Sequence, residues 1–157
     1  MEKNKTPRVL VLMGSTSDEP VMDKMKKYLD FFNISYEFMV VSAHRNPDKA
    51  AEVAETAEDK GFDLIIAGAG MAAALPGVAA AKTFLPVIGV PLAGSALNGV
   101  DALYSIVQMP PGVPVATVAV GSAGAKNSAV LAARILALKY DTLRERLEDF
   151  RDSGSKL

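Results

Sequence analysis

Cysteine is absent from this 157-residue chain. That excludes disulfides, a thiolate nucleophile and a cysteine-held metal. Tryptophan is absent as well, and aromatic residues make up only 6%. A flavin carrier usually flanks its ring with aromatic side chains, so this scarcity argues against one. A single histidine is too few for a histidine-rich metal centre. No apolar run is long enough to span a bilayer. The 17 basic and 18 acidic side chains leave a net charge of −1, and no basic block stands out, so nucleic acid has no electrostatic footprint here. The stretch from Met1 to Arg8 is polar and lacks the apolar core of a secretory leader, so a cytoplasmic protein is expected. There is no Gly-x-Gly-x-x-Gly fingerprint, no Gly-Lys-Ser/Thr phosphate loop, no internal repeat and no low-complexity linker. Asp18 alone does not make the acidic cluster that a phosphoacceptor module needs.

What is present is apolar residue in quantity, 50% of the chain, with a mean hydropathy of +0.20. The length suits one domain spanning residues 1–157. The share of Ala and Val is high for so small a domain, which predicts that some apolar surface is buried between subunits. Apolar runs at 9–13, 36–41 (with Glu37 as a polar interruption), 64–67, 86–91 and 113–120 read as buried strands. Helical spacing separates them. Five strands alternating with helices predict an α/β fold: a flavodoxin-like three-layer αβα sandwich with a five-stranded parallel sheet. A core over 8–138 would be followed by a C-terminal helix and tail over 139–157.

Three strand ends carry chemistry, and in an open α/β sheet ligands bind at the carboxyl ends of strands. After the first strand comes Gly14-Ser15-Thr16-Ser17-Asp18, then a helix opening at Glu19-Pro20. Loop amides, hydroxyls and a helix start make a candidate anion site; a well-capped helix start, with Ser17 or Asp18 as the cap, is the plainer reading. After the second strand comes Ser42-Ala43-His44-Arg45, with Asn46 as helix cap and Pro47 as first helical residue. His44 is the only histidine, and an imidazole titrates near neutral pH. It serves either catalysis or the loop's own hydrogen bonding. After the third strand, Gly68-Ala69-Gly70-Met71-Ala72-Ala73-Ala74-Leu75 carries mostly small side chains, which fits either close ligand approach or tight packing. Leu92 to Val100 reads as an irregular covering loop, with Asp101 capping the next helix. A nearly all-apolar helix is expected over 128–138, with Arg134 as an interior charge requiring a partner. Tyr140, Leu143, Leu147 and Phe150 form one apolar stripe on the tail.

These loops together closely resemble the class I, bacterial-type N5-carboxyaminoimidazole ribonucleotide mutase family of purine biosynthesis. The resemblance runs from about Arg8 to Leu138. It rests on Met13-Gly14-Ser15-Thr16-Ser17-Asp18, on Val41-Ser42-Ala43-His44-Arg45-Asn46-Pro47-Asp48, on Ala67-Gly68-Ala69-Gly70 and on Leu75-Pro76-Gly77. It continues through Leu85 to Pro91, Ser105 to Pro110, and Gly112 to Thr117. The resemblance implies an isomerase without cofactor or metal. It would move a carboxylate from the exocyclic nitrogen of an aminoimidazole ribonucleotide to ring carbon C4, through loss and re-addition of CO2. It makes His44 the general acid and base. Ser15, Ser17 and Asp18 would bind the ribonucleotide, and Arg45 its phosphate. Ser42, Gly68, Ala69, Gly70 and Leu75 would line the base and the CO2 position. It also implies a homo-octamer, a small-molecule ribonucleotide substrate, and neither nucleic acid nor membrane as partner.

This chain departs from the family pattern at three places. Ala74 stands where many members have a second histidine, Met71 where glycine is usual, and Glu19 where an aromatic residue is frequent. Ala74 excludes a mechanism needing two imidazoles. Two other functions stay open from sequence. One is direct carboxylation of the aminoimidazole ribonucleotide by CO2. The other is a non-catalytic, flavodoxin-like nucleotide-binding module.

Overall fold

A computed structural model of the chain describes residues 6–157, so the expectation of a polar, leaderless start falls largely outside the described residues. Five parallel strands lie in the order β2-β1-β3-β4-β5, a doubly wound arrangement of the flavodoxin-like kind. They are β1 (Arg8–Met13), β2 (Ser35–Val40), β3 (Leu64–Gly70), β4 (Val87–Leu92) and β5 (Ala116–Thr117). The helices are α1 (Glu19–Met22), α2 (Lys26–Phe31), α3 (Pro47–Glu55), α4 (Leu75–Ala80), α5 (Val100–Val107), α6 (Ser122–Leu136) and α7 (Thr142–Asp152).

The period of two along each strand divides the core into two layers. Val9, Val11 and Met13 of β1 face one way, with Leu64 and Ile66 of β3 and Ile88 and Val90 of β4, and meet Met22, Met25, Leu29 and the alanines of α6. Leu10, Leu12, Ile65 and Ala67 face the other way and meet Val53 of α3, Leu75 of α4 and Ile106 of α5. β1 after Arg8, β3 and β4 therefore carry no polar side chain, because both of their faces are covered.

The two outer strands differ from expectation. β2 is the sheet edge, and its residues alternate between exposed and half-buried. It is not the covered strand its apolar run predicts. β5, expected over 113–120, pairs for two residues only. The Val118 amide still donates to the Gly89 carbonyl at 3.2 Å. Beyond that point Pro91 of β4 has no N–H to donate and takes part only as an acceptor, its carbonyl receiving the Gly121 amide at 2.8 Å, so the regular ladder stops.

Three helices also differ. The first one is segmented. A 3-10 turn at Thr16–Asp18 precedes α1, and another at Asp23–Met25 separates α1 from α2. α6 begins six residues before the apolar stretch that marked it, and Arg134 is exposed on it, so no buried partner is required. α5 is preceded by Gly99 at φ +87°, and Asp101 lies in the first turn and does not cap it. Its carboxylate instead accepts from the Ser95 hydroxyl at 2.7 Å, which ties the preceding loop. That bond holds the carboxyl below the usual range, against desolvation.

The stripe on the C-terminal tail is covered by the chain's own core. Phe150 packs edge-on against Phe32, with ring centroids 5.3 Å apart, and against Tyr28 at 6.0 Å. Tyr140 and Leu143 are buried beside it. The tail is anchored at its start too. Lys139 Nζ and the Tyr140 hydroxyl both donate to Asp63 Oδ1, at 2.8 and 2.9 Å. The Arg8 amide donates to Asp63 Oδ2 at 2.9 Å. Asp63 thus joins the amino ends of β1 and β3 to the C-terminal segment.

Candidate active site

The carboxyl ends of β1, β2, β3 and β4 surround one cleft of about 410 Å³. Its position is the topological switch point: the chain passes from β1 to β2 on one side and then from β2 across to β3 on the other side of β1. A larger groove of about 670 Å³ lies at the amino ends of β4 and β5, but Lys82 is its only charged side chain. The smaller cleft is where ionisable and hydroxyl groups converge.

The β1 loop contributes Gly14, Ser15, Ser17 and Asp18 to this cleft. Asp18 stands at the N-cap position of α1, as one of the two residues the sequence pointed to, but makes no side-chain capping bond there; the capping side chain is Ser15, at the start of the preceding 3-10 turn. The chain enters the 3-10 turn two residues early, so the Ser-x-x-Asp spacing closes reciprocally. The Ser15 amide donates to Asp18 Oδ2 at 3.0 Å, and the Ser17 amide donates to Ser15 Oγ at 3.3 Å. The Ser15 and Ser17 hydroxyl oxygens are 3.0 Å apart. Burial pushes the Asp18 carboxyl above its ordinary pKa, and the Ser15 and Gly14 amides offset part of that rise. The cradle is thus held by its own hydrogen bonds before any ligand arrives.

The β2 loop contributes Ser42, Ala43, His44 and Arg45. Its conformation is fixed by Ser42 and Asn46. Ser42 Oγ accepts from the Arg45 amide at 3.2 Å, and the Ser42 carbonyl from the Asn46 amide at 2.9 Å. Asn46 caps α3 by accepting from the Lys49 amide at 3.4 Å, and Pro47 opens the helix. The loop's hydrogen bonds are made without the imidazole, and both His44 and Arg45 are exposed at the cleft.

The third wall is the end of β3. Ala69, Gly70 and Leu75 line the cleft, together with Met71 to Ala74. The expected Gly68–Gly70 loop is instead the last part of β3, which runs to Gly70. Gly68 does not line the cleft. A Cβ there would come within 2.4 Å of Met22 Sδ, so the glycine permits close packing of the Met22 side chain onto the sheet. Leu92, Ala93 and Gly94 complete the fourth side, and the rest of the Leu92–Val100 stretch does not line the cleft. Ala74, with its methyl side chain, also faces it.

Met71 was singled out in the sequence only as a departure, yet it lines the cleft at φ +56°. Asp63, a structural carboxylate, carries no local sequence signal, and Asp101, read from sequence as a helix cap, instead ties the loop before α5 through Ser95. Among the described residues, no group of three or more His, Cys, Asp or Glu is placed to hold a metal ion. No helix among them is long and apolar enough to cross a membrane.

The fold and this site define a doubly wound α/β protein with a small-molecule cleft at its strand ends. The chain matches the AIR carboxylase family over residues 8–156, and it belongs to that family. It is similar to the N5-carboxyaminoimidazole ribonucleotide mutase of Pyrococcus abyssi, with 55% identity over 152 residues covering 97% of this chain and 86% of that protein. The protein of the same name from Escherichia coli is 53% identical over 149 residues, covering 95% of this chain and 88% of that protein. Among solved structures, Treponema denticola PurE superposes with a TM-score of 0.83 at 30% identity, covering 95% of this chain and 92% of that one.

Proposed function

We propose that this chain is an N5-carboxyaminoimidazole ribonucleotide mutase of purine biosynthesis. The observation that carries the reading is the meeting of the chain's one imidazole, the Arg45 guanidinium and the Ser15–Asp18 cradle in one strand-end cleft. The names of relatives that are more than half identical support the same activity.

The reaction needs few groups. The bond from the exocyclic nitrogen to the carboxylate carbon breaks, the electron pair returns to nitrogen, and CO2 is released. His44 as imidazolium gives that nitrogen its proton. C4 then attacks CO2, and the neutral imidazole removes the C4 proton, restoring the starting state. Arg45 holds the phosphate with charge-assisted hydrogen bonds. Ser15, Ser17 and Asp18 hold the ribonucleotide, and Ser42, Ala69, Gly70 and Leu75 border the base and the CO2. Gly68 acts behind this wall through the packing of Met22. No cofactor or metal is required by the balance of the reaction.

The protein acts in the cytoplasm as a homo-oligomer, an octamer. Large apolar side chains left exposed on one chain support an assembly: Phe84 is fully exposed, and Leu97, Tyr104 and Leu138 are each more than 60% exposed. The tail stripe does not add to that case, since the chain buries it itself.

The test supplies the purified protein with N5-carboxyaminoimidazole ribonucleotide alone and, separately, with aminoimidazole ribonucleotide and bicarbonate. The expected result is rapid formation of 4-carboxy-5-aminoimidazole ribonucleotide from the first substrate. Formation only from the second would make the protein a direct carboxylase; formation from neither would leave a binding module.

A further inference from the structure

We propose that Met71 is the apolar lip of the cleft, folding over bound ribonucleotide to keep released CO2 in place until C4 takes it up. The proposal rests on the mutase reading above. Met71 follows the last residue of β3, with its backbone in the left-handed region at φ +56°. Ala73, two residues on, is left-handed too, at φ +36°, and its amide donates to the Gly70 carbonyl at 3.0 Å. Glycine adopts this backbone freely and a side chain with a Cβ does not. Strain of this kind persists only where the surroundings impose it, and it concentrates where ligands bind.

The rest of the lining gives the strained methionine its role. Apart from Met71, the cleft's apolar side chains larger than a methyl are Leu75 and Leu92. Each is 2% exposed and locked into the core, whereas Met71 is 63% exposed. The remainder of the β3 wall, Ala69 to Ala74, bears methyl groups or hydrogen only. Across the cleft stand hydroxyls, Asp18, His44 and Arg45. One apolar side chain is therefore long, unpacked and at the opening, and its unbranched thioether has the torsional freedom to close over a ligand.

Glycine is usual in the family at this position, so the methionine is this chain's own addition to a wall that has to keep water out. Breakage of the nitrogen–carbon bond yields a small neutral molecule that no ion pair or hydrogen-bond fork can hold. Water entering the cleft would let it diffuse away or hydrate it, and the nitrogen, once protonated, would leave as free aminoimidazole ribonucleotide. Excluding water prevents that side reaction.

The test uses substrate labelled with carbon-13 in its carboxylate, turned over in unlabelled bicarbonate, and counts the label kept in the product. The wild type is expected to retain most of it. Met71→Gly is expected to lose retained label several-fold and to release aminoimidazole ribonucleotide, with an unfolding midpoint that is unchanged or higher because glycine accepts the backbone. Met71→Leu is expected to restore retention, which a purely structural role would not predict. Equal retention in Met71→Gly and wild type overturns the proposal, as does a wild type that exchanges its label freely while still making product. A wild type that forms no product from the labelled substrate instead overturns the mutase reading on which the proposal rests.

Discussion

Ser15 and Asp18 hold one another in place: the Ser15 amide donates to the Asp18 carboxylate at 3.0 Å, while the Ser15 hydroxyl accepts from the turn that Asp18 ends. Two residues proposed to bind the substrate thus also form the capping box of the 3-10 turn that leads into the first helix. Their geometry is set by folding and not by the ligand, which reduces the ordering that binding must impose.

Ser15→Ala separates these two duties. Loss of the capping hydroxyl should lower stability by about 0.5–2 kcal/mol. Substrate affinity should fall as well, because the Asp18 carboxylate loses its fixed position. Denaturant unfolding together with a titration of ribonucleotide measures both. A stability loss with unchanged affinity would remove the cradle from the binding site.

His44→Asn should abolish product formation while leaving ribonucleotide binding largely intact. Loss of general acid–base catalysis costs about 10²–10⁴ in rate, and the chain has no second histidine to substitute. Turnover and calorimetric binding on the same preparation decide it. Near-normal turnover would rule out the imidazole as the proton carrier.

Arg45→Ala should act mainly on affinity. Loss of charge-assisted hydrogen bonds to a phosphate weakens binding by about tenfold to a hundredfold. The corresponding dephosphorylated nucleoside should bind both proteins equally weakly. If that nucleoside still distinguishes them, Arg45 acts on another part of the substrate.

Asp63 governs stability far from the cleft. Burial pushes its pKa up, but hydrogen bonds from Lys139, the Arg8 amide and Tyr140 outweigh burial and leave it below the ordinary value. The native carboxylate therefore protonates at lower pH than the unfolded one. Its stabilisation is complete above the unfolded pKa, about 3.9, and drains away as the pH falls toward the native value. Asp63→Asn should cost about 1–3 kcal/mol at neutral pH and should flatten the loss of stability on the acid side. An acid limb identical to wild type would show that other carboxylates control it.

The central layers of the fold were legible because their signal is local. β1 beyond Arg8, β3 and β4 are covered on both faces and carry no polar side chain, and the Asn46-Pro47 start of α3 is a matter of hydrogen bonds within four residues. The edges were not legible. An apolar run such as Tyr36 to Val41 reads the same whether a strand lies inside a sheet or at its border. The shortness of β5 depends on Pro91, a residue of the neighbouring strand. The early start of α6 and the exposure of Arg134 likewise depend on which side of the helix meets the sheet.

For the site, residue type and strand-end position already pointed to Ser15, Ser17, Asp18, Ser42, His44 and Arg45, since chain order sets which loop follows which strand. The sequence alone determined that the chain offers one imidazole, that the three loops end apolar strands, and that the fold is doubly wound. Only the tertiary structure decided which residues face one another across the cleft. It sent Gly68 behind the wall against Met22, brought Met71 to the opening in a left-handed backbone, and laid the tail on its own core. Those outcomes turn on strand order and on the side a backbone presents, and both are fixed by contacts between residues far apart in the chain.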